Sequence, residues 1–481
     1  MDRLAFTASG TASGLVTNGV SYFLLIYYSQ VIGLEPALAG SALLLALAFD
    51  AVSDPLVGRW SDRFRSRLGR RHPFLYAATL PAAASYYCLW TPPDLSQPAM
   101  FLWLLVFTIT LRLAMTLHTV PFNALLPELA PDYDRRTRLM NYSYAGAWFF
   151  GTAIAVAMYL WWLADTPDYP DGAGILRRSG YEQAGLVTAA GVGLCLIAAA
   201  IATRRHIPNL ATPPPGAASV ATALAETTST LRDRSLIAIV ASTAFTAAAS
   251  GTATAMWAYM QPWFWGFESS QTSTILATQL ASPLIAFSLL PALSRGRDKK
   301  VLLIQVSILS MLAGSGPVIL SLLGAFPPVG HAALFPLMTA IGVVQVSLIV
   351  MGGAISASMV ADIVDARAVA TGRREEGLVI SVLSFTGKVA TGMGVWIGGV
   401  LLSAIALPTG AAAAGIDRAT IDRLGWLYGP VLALLYLIAI YALSRYRLSR
   451  HRHEENLAAL AANGGTGPGS YRSGTSRGDP T

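Results

Sequence analysis

The stretch Ala48–Trp60, AFDAVSDPLVGRW, follows directly on the apolar run GSALLLALAFD, Gly40–Asp50, and sets two carboxylates, Asp50 and Asp54, among hydrocarbon side chains. On a helix these positions are i and i+4, on one face and about 5–6 Å apart. A charge inside a bilayer costs several kcal/mol unless it is compensated, and two bare carboxylates also repel. They persist if one holds a proton, if a base pairs with them, or if a cation sits between them. Pro55 lacks an amide hydrogen and frees the carbonyl of Ala51 from the helix ladder, and Ser53 adds a hydroxyl. This cluster of hard oxygens suits Na+, by analogy with other hard cations, or H+ carried by one carboxylate. A structural salt bridge to a neighbouring helix is the alternative reading. Snorkelling to the surface accounts for Asp62 but not for Asp50.

Composition widens this local argument to the whole chain. Of 481 residues, 54% are apolar and 12% charged, against a charged share of about 25% in a soluble domain. The apolar residues fall in blocks about 20 residues long, the length that crosses a bilayer as helix. Twelve spans are expected, near residues 14–32, 37–57, 74–91, 98–120, 139–163, 184–203, 236–261, 271–292, 300–324, 332–358, 377–406 and 425–444. The start lacks the pattern of a removable signal peptide, so the first span reads as an anchor. Cys88 and Cys195 fall inside spans and read as packing residues rather than as a disulfide or a metal site.

Charge sets orientation. Arg59, Arg63, Arg65, Arg67, Arg70 and Arg71 follow span two; Arg135, Arg136 and Arg138 follow span four; and Lys299, Lys300, Arg367, Arg373 and Arg374 continue the series on the same side. The opposite side holds only Arg177, Arg178, Arg418 and Arg423. The excess of Lys and Arg places both termini in the cytoplasm and the protein in the inner (plasma) membrane. Topology then explains the net charge of +7, and no nucleic-acid partner is implied.

The polar connector Pro208–Ser235, PNLATPPPGAASVATALAETTSTLRDRS, divides the spans six and six. The chain divides into an N-terminal bundle over 1–205, a linker over 206–235, a C-terminal bundle over 236–446, and a Gly- and Ser-rich tail over 447–481 expected to be disordered. The loop GRWSDRFRSRLGRRHPFL after span two has a degenerate counterpart in LSRGRDKKVLL after span eight. Repeated halves around a central site are a transporter architecture.

Three stretches, FDAVSDPLVGRWSDRFRSRLGRRHPFL, VPFNALLPELAPDYDRRTRL and SMVADIVDARAVATGRREEGLVISVLSFTGKVATG, make the chain resemble the glycoside-pentoside-hexuronide:cation symporters, the melibiose-permease branch of the major facilitator superfamily. The resemblance implies an all-α, twelve-helix fold of two six-helix bundles and a cation-coupled symporter rather than an enzyme. It puts the coupling ion, Na+ or H+, on Asp50, Asp54 and Thr116, with Ser53 where melibiose permease has asparagine; with sodium coupling, Asp50 and Asp54 are the metal ligands. No other cofactor is implied. The sugar-binding acids, tryptophan and arginine of melibiose permease align with Gly14, Thr119, Asn123 and Gly146, so the galactoside site is not reproduced. Lys388, twelve residues after Glu376, does match the family pattern. Gly58, Asp62 and Arg63 match the superfamily's cytoplasmic latch, and Asp362, Asp365 and Arg374 fall in the corresponding late loop as an ion-pair network.

Read on their own terms, Arg112, Thr116, Thr119 and Asn123 make a polar stripe on span four. Arg112 is placed to bind an anionic group on the substrate or to neutralise Asp50 and Asp54. Lys388 has no carboxylate on its own helix face, so its partner comes from another helix or from the substrate. Tyr142 and Trp148 on span five and Trp257 on span seven are candidates to line a cavity. Tyr86, Tyr87, Trp90, Tyr259, Trp263 and Trp265 read as an interfacial aromatic belt. The expected partners are a small solute, a cation and the lipid bilayer, with the chain a monomer. A sugar or glycoside comes first as substrate, a lysolipid second, because lost sugar-binding acids and a retained Lys388 suit an amphiphile with an anionic head.

Overall fold

A computed structural model describes residues 1–130, 132–209, 233–371, 376–408, 416–446 and 455. Arg373, Arg374, Glu375, the Pro-rich part of the linker and all of the tail but one residue lie outside the described residues. Among the described residues, thirteen α-helices make twelve spans. They are α1 (Asp2–Gly19), α2 (Pro36–Arg63), α3 (His72–Trp90), α4 (Gln97–Leu129), α5 (Tyr133–Ala157), α6 (Arg178–Thr203), α7 (Arg234–Tyr259), α8 (Ser269–Thr278), α9 (Ser282–Ser294), α10 (Lys299–Leu322), α11 (Leu334–Thr371), α12 (Glu376–Ala404) and α13 (Arg418–Ser444). Helices α8 and α9 share one span, separated by a 3-10 turn at Gln279–Ala281. Pro283 at the start of α9 has no amide hydrogen to carry the ladder through that turn.

Ten spans are long and apolar enough to cross a bilayer. The two that complete the twelve are α1, diluted by Ser, Thr and Gly, and α3, diluted by Pro73, Pro81 and three tyrosines. Several helices outrun the apolar blocks of the sequence: α4 continues through Pro121 and Pro127 to Leu129, and α11 runs on to Thr371. Hydropathy marks only the hydrocarbon zone, whereas the helix persists into the interfacial layer.

Close helix contact depends on small residues, as it does where lipid removes any hydrophobic drive between helices. Gly10 and Gly14, spaced as GxxxG on α1, press against α5: a methyl on Gly10 would lie 2.0 Å from the carbonyl oxygen of Ser143. Across the two halves, α12 meets α2 in the same way, with Gly40 against Trp396 and Gly399 against the carbonyl of Pro36.

Two turns expose the internal repeat more sharply than the loops do. After α1, a π turn ends with Ile32 N–H donating to Tyr27 O and Leu34 N–H to Tyr28 O, around Gly33 at φ 86°. After α7, Trp265 N–H donates to Met260 O and Phe267 N–H to Gln261 O, around Gly266 at φ 66°. Each turn leads to a glutamate at the N-terminus of the next helix, Glu35 before α2 and Glu268 before α8.

The helix ends fall into two sets. At the basic end, several ion pairs lie within one half: Arg70 and Arg71 hold Glu128, Asp2 holds Arg135 and Arg205, and Lys299 holds Asp362. Burial alone would raise the Asp2 carboxyl, but hydrogen bonds from Arg205, His206 and Arg135 outweigh it and hold the group at about 2. That clamp is complete above the ordinary value of 3.8 and weakens as pH falls toward about 2. At the far end the halves cap each other's helices. Ser403 on α12 accepts at 3.0 Å from Ala37 N–H in the first turn of α2. Asp165, after α5, accepts at 3.0 Å from Ser269 N–H at the start of α8, whose hydroxyl also reaches Asp165 and the carbonyl of Leu163. Ser29 and Tyr259 join the two π turns at 2.5 Å. A cap of this kind contributes about 1 kcal/mol, and here it spans two bodies.

These caps hold the far end shut. In a background without Cys88 and Cys195, a cysteine put in place of the fully buried Gln30 reports that closure. Asp165→Ala and Ser403→Ala should each speed its reaction with a membrane-impermeant maleimide severalfold. Equal labelling rates would show that the caps do not hold the two halves together.

Candidate functional site

The deepest polar contact between the halves is built on the two carboxylates of α2. Lys388 Nζ, from α12, lies 2.9 Å from Asp50 Oδ2 and 2.5 Å from Asp54 Oδ2. Thr116, from α4, points its hydroxyl at both, 2.9 Å from Asp50 Oδ1 and 3.0 Å from Asp54 Oδ1. One hydroxyl hydrogen serves one carboxylate at a time, so Thr116 divides between them. Ser53 spends its hydrogen on the carbonyl of Asp50 at 3.1 Å. Its oxygen keeps free lone pairs beside the pair. Arg112 lies within electrostatic reach of both carboxylates.

Why these side chains meet follows from the helices that carry them. Asp50 and Asp54 share a face by their spacing, and Gly392 on α12 lies against Leu44 and Leu47 one to two turns earlier on α2. With no side chain at Gly392, the α12 backbone comes close enough for a lysine stem to reach across. Asp50 has only 6% of its side chain exposed, whereas Asp54 and Lys388 keep 29% and 30%. One carboxylate is therefore buried and the other faces an opening. Two anions and two cations, Lys388 and Arg112, make the group neutral. Chemically it is a set of hard oxygens whose charge Lys388 and Arg112 together balance.

The remaining candidates separate into distinct places. Trp148 and Trp257 line two adjoining cavities between the halves, of about 300 and 140 Å³, which share Tyr22, Gln279 and Val346. Thr119 turns its hydroxyl back to the carbonyl of Met115, and Asn123 is exposed further along α4 toward the basic end. Neither lines those cavities. Tyr142 is a correction to the cavity-lining expectation: it lies under the Arg3 guanidinium at 5.6 Å, in a basic-end pocket with Arg135, Arg138 and Arg205. It sits on the basic-end side of α5, about two and a half turns before Gly151.

Gly58 contacts Val120 of α4, Asp62 lies 3.6 Å from Arg71, and Arg63 is exposed. Asp362 pairs with Lys299 at 2.7 Å. Asp365 lines a cavity of about 600 Å³ with Glu376 and Ser384, open toward the basic end. The belt reading also needs correction: Tyr86, Trp90, Tyr259 and Trp265 are buried, and Trp90 stacks on Tyr181. Core and interface draw on the same amphipathic rings, so composition alone does not separate them. Sequence reasoning missed Gln261, Gln279 and Gln345, which line the smaller cavity. A glutamine inside an apolar run was the available signal, the same one that marked Asp50.

With the geometry in place, likeness to known proteins completes it. Residues 5–450 match the MFS/sugar transport protein family, and the chain belongs to that family. It is a transporter of the major facilitator fold, and the resemblance to the cation symporters of that fold holds. The chain is 26% identical to an uncharacterized symporter of Synechocystis sp. over 84% of its own length and 85% of the relative's. It is 29% identical to the sodium-dependent lysophosphatidylcholine symporter 1-A of Danio rerio over 32% of this chain and 29% of that one. Among solved structures, the inward open conformation of the xylose transporter XylE from E. coli superposes with a TM-score of 0.62 at 15% identity, covering 95% of this chain and 98% of that one.

Removing the lysine leaves two carboxylates against each other. Lys388→Ala should lower stability by about 1–3 kcal/mol, less than a fully buried pair because the lysine is partly solvated. The double variant Lys388→Ala/Asp54→Asn should recover part of that loss. Apparent melting temperatures of the purified variants check this, and additive losses would separate Lys388 from the carboxylates energetically.

Proposed function

We propose that this protein is a cation-coupled symporter of a small, neutral, hydroxylated solute, a sugar or glycoside. Na+ or H+ enters at Asp50, Asp54 and Thr116. The observation that carries the reading is the lysine of one half resting on the carboxylates of the other. A site already neutral accepts another cation only if Lys388 leaves, and that departure undoes a link between α2 and α12. Ion binding thereby changes the relative energy of two arrangements of the halves, which is the differential interaction that coupling requires. Ser53 and Thr116 supply further oxygens in place of the ammonium.

The solute reading rests on the cavities between the halves. Their walls carry indole, phenol, hydroxyl and carboxamide groups, among them Tyr22, Trp148, Trp257 and Gln345, and no lysine or arginine among the described residues. Flat rings and uncharged donors suit a sugar ring, whereas a phosphate head calls for a cation. The likeness to lysophosphatidylcholine symporters supports the second reading, a cation-dependent lysolipid transporter. The arginine-rich end faces the cytoplasm by the excess of Lys and Arg there, with both termini on that side and the chain a monomer in the plasma membrane. The capped end is then the outer gate, and this form is inward-open.

Proteoliposomes loaded without Na+ and diluted into Na+ medium, or given a pH step, decide the matter with labelled glycosides and labelled lysophosphatidylcholine. Gradient-driven accumulation of a glycoside is expected, and its loss in Asp54→Asn with exchange retained. Accumulation of lysophosphatidylcholine alone would overturn the solute, and coupled accumulation by Asp54→Asn would overturn the ion site.

A further inference from the structure

The smaller cavity between the halves is walled mostly by the C-terminal half, and its polar atoms form a pattern of their own. Gln261 stands on the π turn after α7, Gln279 on the 3-10 turn that divides α8 from α9, and Gln345 in mid-α11. Three irregular or separate elements thus bring three carboxamides to one space. Gln261 is only 3% exposed, yet its carbonyl oxygen has no hydrogen-bond partner. The indole N–H of Trp257 in the same wall is buried without a partner, and so is that of Trp148 in the adjoining wall.

A buried donor or acceptor left unmade costs about 1–3 kcal/mol. Two at this cavity, with a third in the adjoining one, point to a ligand that supplies the missing bonds. Both signs are needed at once: Gln261 Oε1 asks for a donor, and the two indoles ask for acceptors. A hydroxyl group is both. The glycines beneath make the room. A methyl on Gly314 would lie 2.6 Å from Gln345 Nε2, and one on Gly342 would lie 3.2 Å from Gln279 Nε2. Each amide therefore lies over bare backbone, which keeps it at the cavity wall. Tyr22, in the π-helical segment just after α1, closes the space edge-on to Trp257 with ring centroids 6.4 Å apart.

We infer that Gln261, Gln279 and Gln345 form the specificity site for the solute, an uncharged cage that reads the hydroxyl pattern of a neutral polyol ring from the C-terminal half. This deepens the sugar reading above and rests on it. The carboxylates of α2 then serve the ion, and recognition of the solute passes to carboxamides. A site built on hydroxyl hydrogen bonds rejects a deoxy analogue strongly, because its own buried groups are left unpaired. It is also indifferent to pH across the range in which amides do not titrate.

The test uses full-length protein in proteoliposomes and counterflow exchange of p-nitrophenyl glucosides, galactosides and xylosides. For the glycoside that the parent exchanges best, Gln261→Ala and Gln345→Ala should raise the half-saturating concentration tenfold or more. The Na+ or H+ concentration giving half-maximal stimulation should stay within twofold. The isosteric Gln345→Glu keeps the volume and guards against collapse of the cavity; it should weaken exchange and shift its pH profile away from the parent's. One of the monodeoxy analogues of the same glycoside should lose tenfold or more in the parent and little in Gln345→Ala. If the parent exchanges a glycoside and all three alanine variants, Gln279→Ala included, keep its half-saturation within twofold, the cage is wrong while the sugar reading stands. If the parent exchanges lysophosphatidylcholine and none of the glycosides, the sugar reading falls and the cage with it.

Discussion

Everything in this fold turns on the contact of one ammonium with two carboxylates near the middle of a membrane. Asp50 and Asp54 repel each other and are costly to desolvate, so their presence demands a counter-charge. Lys388 supplies it from the other half of the protein, with Thr116 steadying both acids from α4. In the proposed mechanism the balance is conditional, because the lysine gives way to a cation that the same oxygens hold better. A fixed structural ion pair would be served as well by partners within one half. Spanning the two halves, this one makes the cost of separating them depend on what occupies the acids.

A second constraint acts at the far end, where each half completes the other's helix. Ser403 caps α2, and Asp165 with Leu163 caps α8. The two capped helices occupy equivalent places in the repeat marked by Gly33 and Gly266. Symmetric capping gives the far end one closed geometry, since register errors in either half leave first-turn amides without partners. At the basic end, the Arg70–Glu128 and Lys299–Asp362 pairs each lie within one half. The connections described between the halves therefore lie at the far end and at the Lys388 contact.

How much of this the sequence discloses depends on how locally each feature is encoded. Asp50, Asp54 and Lys388 announce themselves because a charge in an apolar run has few explanations, and the carboxylate spacing alone puts them on one face. The twelve spans are legible for the same reason. Their true lengths are not, since hydropathy reads the hydrocarbon and α4 runs past Pro121. The glutamine cage escapes because its members lie on three elements far apart in the chain, and an isolated glutamine carries no charge to flag it. Trp90 is not an interfacial ring because Tyr181, a ring on another helix, stacks on it and helps to bury it, and Tyr86 lies against Trp90 in turn. The π turns were invisible in the sequence: they show in hydrogen bonds to the fifth residue back, not in residue type.

The ion site and the cavity are joined by one helix. Lys388 sits on α12, and one to two turns further along the same helix lies against α7: Gly394 packs on the carbonyl of Ala248, and Thr252 donates to the carbonyl of Gly394 at 2.9 Å. On the other side of that contact, Gly251 lies against the carbonyl of Thr391. Backbone against backbone leaves no side chain to absorb a shift, so α12 and α7 move together or not at all. Trp257 stands one to three turns further along α7, and Gln261 on the π turn that follows it, both in the wall of the cavity. In the proposed mechanism, displacement of Lys388 removes the ion pair between α12 and α2, while the glycine contacts of α12 on α7 remain. The lysine and the cavity wall thus stand on two helices in direct backbone contact, and the proposed coupling needs no chain of side-chain rearrangements between them.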